Sequence, residues 1–229
     1  MNEAEFFRVS KMPLEKKLDN FTLYVRRQSI ARFLALYELF KKIIDIKGSI
    51  VECGVHMGGG LMAFAKLSAN LEPMAIHRKI IGFDTFEGFP SISERDDNVP
   101  PIDFKEEFDT YENLLMAVEC YDNNRFLNQY NKIEIIKGDA AKTIPDYINK
   151  NSHLVIALLF LDFDLYEPTK VALEYFLPRI PRGGIIAFDE LNNEFWKGET
   201  VAALEIFKDF NRFKINKFSF DPNISYIIL

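Results

Sequence analysis

The sequence predicts an α/β fold, a parallel sheet with helices on both faces. Three observations point there. Short β-branched apolar runs alternate with segments of helical length, each run stops at or beside Gly or Asp, and the tail changes to two short strands around a turn. With 229 residues, 48% of them hydrophobic, the chain can bury a full core as one unit spanning 1–229.

Residues 1–47 read as an N-terminal helical segment. Within 21–46, Ile30, Phe33, Leu34, Tyr37 and Phe40 recur at helical spacing. Ser49–Val55 is a buried strand that ends in glycines, and Leu61–Leu67 is the helix after it. Further strands are Lys79–Phe83, Lys132–Ile136, Leu154–Leu161 and Gly184–Phe188, stopping at or near Asp84, Asp139, Asp162 and Asp189. Helices fit at Tyr111–Cys120, Ala140–Asn149, Glu167–Leu177 and Thr200–Phe210. Ile215–Phe218 and Ile224–Ile228 flank Asp221-Pro222-Asn223, which reads as an antiparallel hairpin at one sheet edge. The segment 89–110 is acidic, punctuated by proline and too long for an ordinary connector. It follows the second strand, on the carboxyl edge where open α/β sheets bind ligands, and reads as a lid ahead of the alternative, a disordered loop.

Composition excludes several functions. Lys and Arg number 28 against 34 Asp and Glu, a net charge of −6, which lacks the cationic footprint of nucleic-acid binding. Cys53 and Cys120 cannot build a disulfide framework, so the thiols read as reduced and the protein as cytoplasmic. Met1–Ser10 has no apolar signal core, and the longest apolar run, Leu154–Leu161, falls far short of the roughly 20 residues a bilayer requires.

The chemistry concentrates at strand ends. Glu52-Cys53-Gly54-Val55-His56-Met57-Gly58-Gly59-Gly60 follows the first strand and opens a helix, where glycine lets backbone and ligand approach closely. It lacks the G-x-G-x-x-G spacing. Glu52 is an acid inside an apolar strand, which packing alone does not ask for. Asp84 ends the second strand, where an acid commonly accepts ribose hydroxyls, although a turn cap would use it equally. Asp139 has the same two readings. The third feature is acidic: Asp162 and Asp164 end the most apolar strand, and Asp189 and Glu190 end the next. Were those strands neighbours, the carboxylates would repel unless a cation or protons neutralised them, and an all-oxygen set suits Mg²⁺. Helix capping by Asp164 and Glu190 is the alternative. His56, His77 and His153 show no ligand spacing, though His56 sits in the glycine loop.

ECGVHMGGG at 52–60, GFDTFEGFP at 82–90, LDFDLYEPTKVALEYFLPRIPRGG at 161–184 and AFDEL at 187–191 together resemble the S-adenosylmethionine- and metal-dependent sugar O-methyltransferases typified by macrocin and mycinamicin O-methyltransferases. The likeness runs from about Tyr24 to about Asn192. It implies the class I methyltransferase fold, a Rossmann-like seven-stranded sheet of order 3-2-1-4-5-7-6 with its last strand antiparallel. It implies that Glu52, Gly54, His56, Gly58, Asp84 and Asp139 bind S-adenosylmethionine. Asp162, Asp189 and Glu190 match the family's Mg²⁺ ligands, and Asp164 matches its general base. This chain carries His56-Met57 where the family has Trp-Arg, Glu190 where a second Asp is common, and Arg182 inserted in Pro-Gly-Gly. The implied acceptor is a sugar-containing small molecule; charge and the short apolar runs argue against a nucleic-acid or membrane partner, and the long N-terminal helix points to a homo-oligomer, a dimer first among them. An NAD-linked oxidoreductase shares the strand–glycine–helix–acid order but leaves the acids after the fourth and fifth strands without a task. A non-catalytic cofactor-binding module is the third reading.

Overall fold

The computed structural model describes residues 1–97, 99–100 and 106–229. Seven strands form one sheet: β1 (Ser49–Cys53), β2 (Ile80–Asp84), β3 (Ile133–Lys137), β4 (Ile156–Leu161), β5 (Ile185–Phe188), β6 (Asn216–Lys217) and β7 (Ser225–Ile228). Their order is β3-β2-β1-β4-β5-β7-β6. β1 to β5 pair in parallel, and β7 runs antiparallel to both β5 and β6. This is the class I methyltransferase topology that the resemblance implied. The tail hairpin sits at the β5 edge, as its turn predicted, and β7 rather than β6 is the inner strand.

Eight α-helices are described: α1 (Glu3–Val9), α2 (Leu14–Asp19), α3 (Arg27–Ile43), α4 (Gly59–Leu71), α5 (Thr110–Asp122), α6 (Ala140–Lys150), α7 (Tyr166–Phe176) and α8 (Gly198–Phe207). Strand side chains alternate between two apolar layers. Ile50, Leu158, Phe160, Ile185 and Ala187 pack with α3, α4 and α5, while Val51, Leu159, Leu161, Ile186 and Phe188 pack with α6, α7 and α8. A residue's parity at a strand tip therefore fixes the face on which its side chain emerges.

Several expected boundaries move. The 21–46 segment begins with a 3₁₀ turn at Phe21–Leu23, and extended backbone at Arg26 delays the helix to Arg27. The buried stripe of α3 is Ala31, Ala35, Leu36, Leu39, Phe40 and Ile43, so Phe33 and Leu34, expected inside, are 43% and 42% exposed. The small side chains of Ala31 and Ala35 let α3 lie close against its neighbours, which turns the bulkier pair outward. The first strand stops at Cys53 because Gly54 turns with φ +91°. The last helix stops at Phe207, where Lys208 takes φ +58°. The short α1 and α2 lie outside the periodic pattern; α1 buries no residue.

Part of the lid expectation, at 98 and 101–105, lies outside the described residues. Its described part is anchored on α7 and α8. Asp96 accepts hydrogen bonds from the Tyr166 N–H (2.9 Å) and the Ser93 hydroxyl (2.6 Å), Asp97 pairs with Lys197, and the Phe89 ring meets Trp196 edge-on at 6.0 Å.

Gly54 is the tightest point of the β1–β4 contact. A Cβ there would sit 1.9 Å from the Asp162 carbonyl oxygen, and its φ already disfavours any side chain. Gly54→Ala is expected to lower stability by more than about 2 kcal/mol, because steric overlap and strain combine. Chemical denaturation checks this, and a wild-type midpoint would contradict it.

Candidate active site

Parity and register assemble the site. β4 and β5 pair with Leu161 opposite Phe188, so the next residues, Asp162 and Asp189, stand side by side. Both continue the parity of the α3 face, below which lie Phe160 and Ala187. The Asp189 N–H donates to the Leu161 carbonyl (3.0 Å), which locks the alignment. From α3, Arg32 closes over the two acids: one guanidinium nitrogen donates to Asp189 Oδ1 and another to Asp162 Oδ2, each at 2.6 Å. The guanidinium also lies 5.6 Å from the Phe160 ring centre.

Glu190, of opposite parity, turns elsewhere and accepts from the Asn193 side-chain amide. Beneath it lies a fifth acid, Glu199 of α8, fully buried. Glu199 Oε2 accepts from the Glu190 N–H (3.0 Å), and its Oε1 has no hydrogen-bond partner. Asp164 sits on the β4–α7 turn with φ +64°. Among the described residues, no three His, Cys, Asp or Glu side chains converge closely enough to hold a metal ion. The expected ligand set is thus brought together in part: Asp162 and Asp189 meet, with Arg32 between them, and Glu190 points away.

The glycine loop forms the other half. Asp84 ties it down: Oδ2 accepts from the N–H groups of Val55 (2.7 Å) and His56 (2.8 Å), and Oδ1 accepts from Phe86 N–H (2.6 Å). A carboxylate offers about four lone-pair positions, so capacity remains for a ligand. Gly58 caps α4 in the left-handed region, and a Cβ on it would strike Leu114. Glu52 is buried behind the loop, with Oε1 where a Gly60 Cβ would need to be, and its Oε2 lacks a partner. Asp139 caps α6 by accepting from Ala141 N–H (3.0 Å) and pairs with Lys142 (3.1 Å).

A cavity of about 660 Å³ joins the two halves; Gly54, His56, Asp84, Gly138, Asp162 and Asp164 line it. Phe89, Pro90 and Phe108, from the segment expected as a lid, form part of its wall. A second cleft of about 510 Å³ adjoins Asp189, Glu190 and Asn193.

The carboxylates share an electrostatic signature. Burial, with Asp84 and Asp189 adding and Arg32 opposing, pushes Glu52 up to about 8. Burial and the charges of Glu190 and Asp189 push Asp164 up to about 7. Asp162 and Glu199 lie well above the usual carboxylate range, first through burial and then through the charge of Asp189. Burial works against the charge of Arg32, and Asp162 and Asp189 together outweigh it, so the guanidinium stays protonated. Sequence reasoning missed Arg32 and Glu199. Both lie on helices where a lone charge ordinarily means a solvated face, and neither carried a local signal.

The match to a family model covers residues 26–223, and the family is described as macrocin-O-methyltransferase (TylF). Curated protein sequences give no significant match. Among solved structures, the calicheamicin methyltransferase CalS11 superposes with a TM-score of 0.93 at 31% identity, over 99% of this chain and 89% of that one. An apo structure of CalS11, described as a TDP-rhamnose 3'-O-methyltransferase, gives 0.86 at 30% identity, over 99% and 91%. The O-methyltransferase NovP shares the fold, with a TM-score of 0.60 at 19% identity over 87% and 79%.

Glu52, pushed up to about 8, keeps its proton in the folded state at neutral pH, whereas the unfolded chain releases it near the ordinary value. That stability is present at low pH and lost as pH climbs toward the folded value. The ligand-free protein should therefore lose stability between about pH 5 and pH 8, and Glu52→Gln should flatten the slope by up to one proton, on the order of 1.4 kcal/mol per pH unit. Thermal unfolding across pH reads this; superimposable profiles for the two proteins would contradict it. Family-model coverage, together with the CalS11 superposition, makes this chain a member of the macrocin-O-methyltransferase (TylF) family.

Proposed function

We propose that this chain transfers a methyl group from S-adenosylmethionine to a hydroxyl of a sugar-containing small molecule, with a nucleotide-linked deoxyhexose as the first acceptor class to test. One observation carries the reading: a single cavity is walled by the glycine loop, by Asp84 and by Asp164, whose carboxyl titrates near neutrality. Family membership supports the methyl-transfer chemistry, and the activity named for CalS11 supports the acceptor class.

The pocket fits the cofactor. Glu52 presents a buried oxygen with no protein partner, which suits an ammonium group, and Asp84 keeps unused acceptor capacity for ribose hydroxyls. Gly54 and Gly138 bring bare backbone to the cavity wall. When bound, S-adenosylmethionine supplies a methyl already activated on sulfur, so the protein has two tasks, alignment and proton removal. Holding the acceptor oxygen in line with that methyl is worth up to about 7–11 kcal/mol. Asp164, pushed up to about 7, is a base matched to neutral pH and can take the acceptor hydroxyl proton. Phe89 and Pro90 add apolar wall to the cavity, and Asp96 anchors the segment that carries them, an arrangement suited to limiting water around the acceptor.

The all-oxygen donors Asp162, Asp189 and Glu190 suit Mg²⁺ in chemistry, and behind Glu190 a buried Glu199 oxygen stands without a protein partner. Mg²⁺ held there would polarise an acceptor hydroxyl and lower its pKa. The residues' own contribution is to orient the acceptor beside Asp164.

A methyl-transfer assay against free, nucleotide-linked and glycosidic deoxysugars tests the proposal. Asp164→Asn should cut turnover by about 10²–10⁴-fold while S-adenosylhomocysteine affinity, read by calorimetry, stays within about threefold. Chelator should stop the wild-type reaction, and Mg²⁺ should restore it. Undiminished turnover in Asp164→Asn removes the base, and undiminished turnover in chelator removes the metal.

A further inference from the structure

Arg32 takes one oxygen from each of the two acids best placed to bind a divalent ion. Mg²⁺ takes oxygen ligands at about 2.1 Å, and the guanidinium nitrogens already stand 2.6 Å from these two oxygens. The two cations cannot share that space. They repel each other, and both are drawn to the same two oxygens.

We infer that Arg32 is a built-in competitor for the divalent ion: with the arginine seated, Asp162 Oδ2 and Asp189 Oδ1 are closed to metal, and an ion that uses them enters only as the guanidinium swings out. The inference rests on the metal reading above. Arg32 suits the part. Its side chain is 35% exposed, so the cleft leaves it a route outward, and the Phe160 face supports it when seated. An arginine cannot leave the site by losing its proton, because its pKa lies beyond reach. Exchange must therefore be a movement of the whole fork. The seated state also explains how Asp162 and Asp189 stand side by side: one fixed positive charge, bonded to both, offsets the pair. Glu190 stays outside this contest because Asn193 holds it.

Mn²⁺ binding, read as loss of the free aqueous Mn²⁺ signal in electron paramagnetic resonance, tests the idea without any turnover. Wild type, Arg32→Gln and Asp189→Asn are titrated. Arg32→Gln should bind one Mn²⁺ at least tenfold more tightly than wild type, while Asp189→Asn should bind none. Equal or weaker affinity in Arg32→Gln, with binding still abolished by Asp189→Asn, overturns the competition and leaves the metal site standing. Absence of binding in wild type and Arg32→Gln alike overturns the metal reading and the inference with it. Should Arg32→Gln fail to fold, nitrogen-15 NMR of the wild-type arginine side chains gives a second measure. Arg32 Nη protons should be held against rotation in chelator and freed by saturating Mg²⁺; protons still held in Mg²⁺ overturn the inference.

Discussion

Two like charges forced together, and the cation that makes them tolerable, organise this active site. Parallel pairing of β4 with β5 leaves Asp162 and Asp189 no choice of neighbour, because register and parity put both tips on the same face. At contact distance in a poorly solvated pocket, such a pair is costly without a counter-charge. Arg32 supplies that charge from α3, across 130 residues of sequence to one acid and 157 to the other. The ion pair thus fastens α3 to the tips of β4 and β5, at the centre of the candidate site.

The rest of the chamber follows from the same tips. Gly54, at the end of β1, packs against the Asp162 carbonyl, so the glycine loop and the acidic cluster are set against each other without intervening side chains. Asp84, ending β2, gathers the loop's N–H groups. The α7 turn is pinned by Asp96, which ties the cavity wall to the strand that bears Asp162 and Asp164. Strand ends therefore set the distances of the candidate site, which loops alone would leave loose.

Much of this was legible in the sequence. Strand ends marked by Gly and Asp pointed to the residues that line the cavity, because a buried apolar run that stops at a polar residue emerges at a sheet edge. Glu52 betrayed itself as an acid within an apolar strand. Register between β4 and β5 was not legible, since pairing is a tertiary choice, and so the meeting of Asp162 with Asp189 stayed conditional. Arg32 was invisible for a different reason. Helical periodicity assigns it to a polar face, and nothing local says that the face looks onto two acids. Phe33 and Leu34 were misplaced because bulk suggested burial, whereas close packing selected Ala31 and Ala35. Glu199 lies on a helix with little amphipathic contrast, so its burial among acids left no pattern to read.

A double-mutant cycle between Arg32 and Asp189 in metal-free buffer weighs the central interaction most directly. Arg32→Gln, Asp189→Asn and the double variant are compared with wild type by chemical denaturation. The account predicts a coupling energy above about 1.5 kcal/mol, as expected for a half-buried, hydrogen-bonded charge pair. Effects that add to within about 0.5 kcal/mol would mean that the two groups do not depend on each other, and the account of the site would fail.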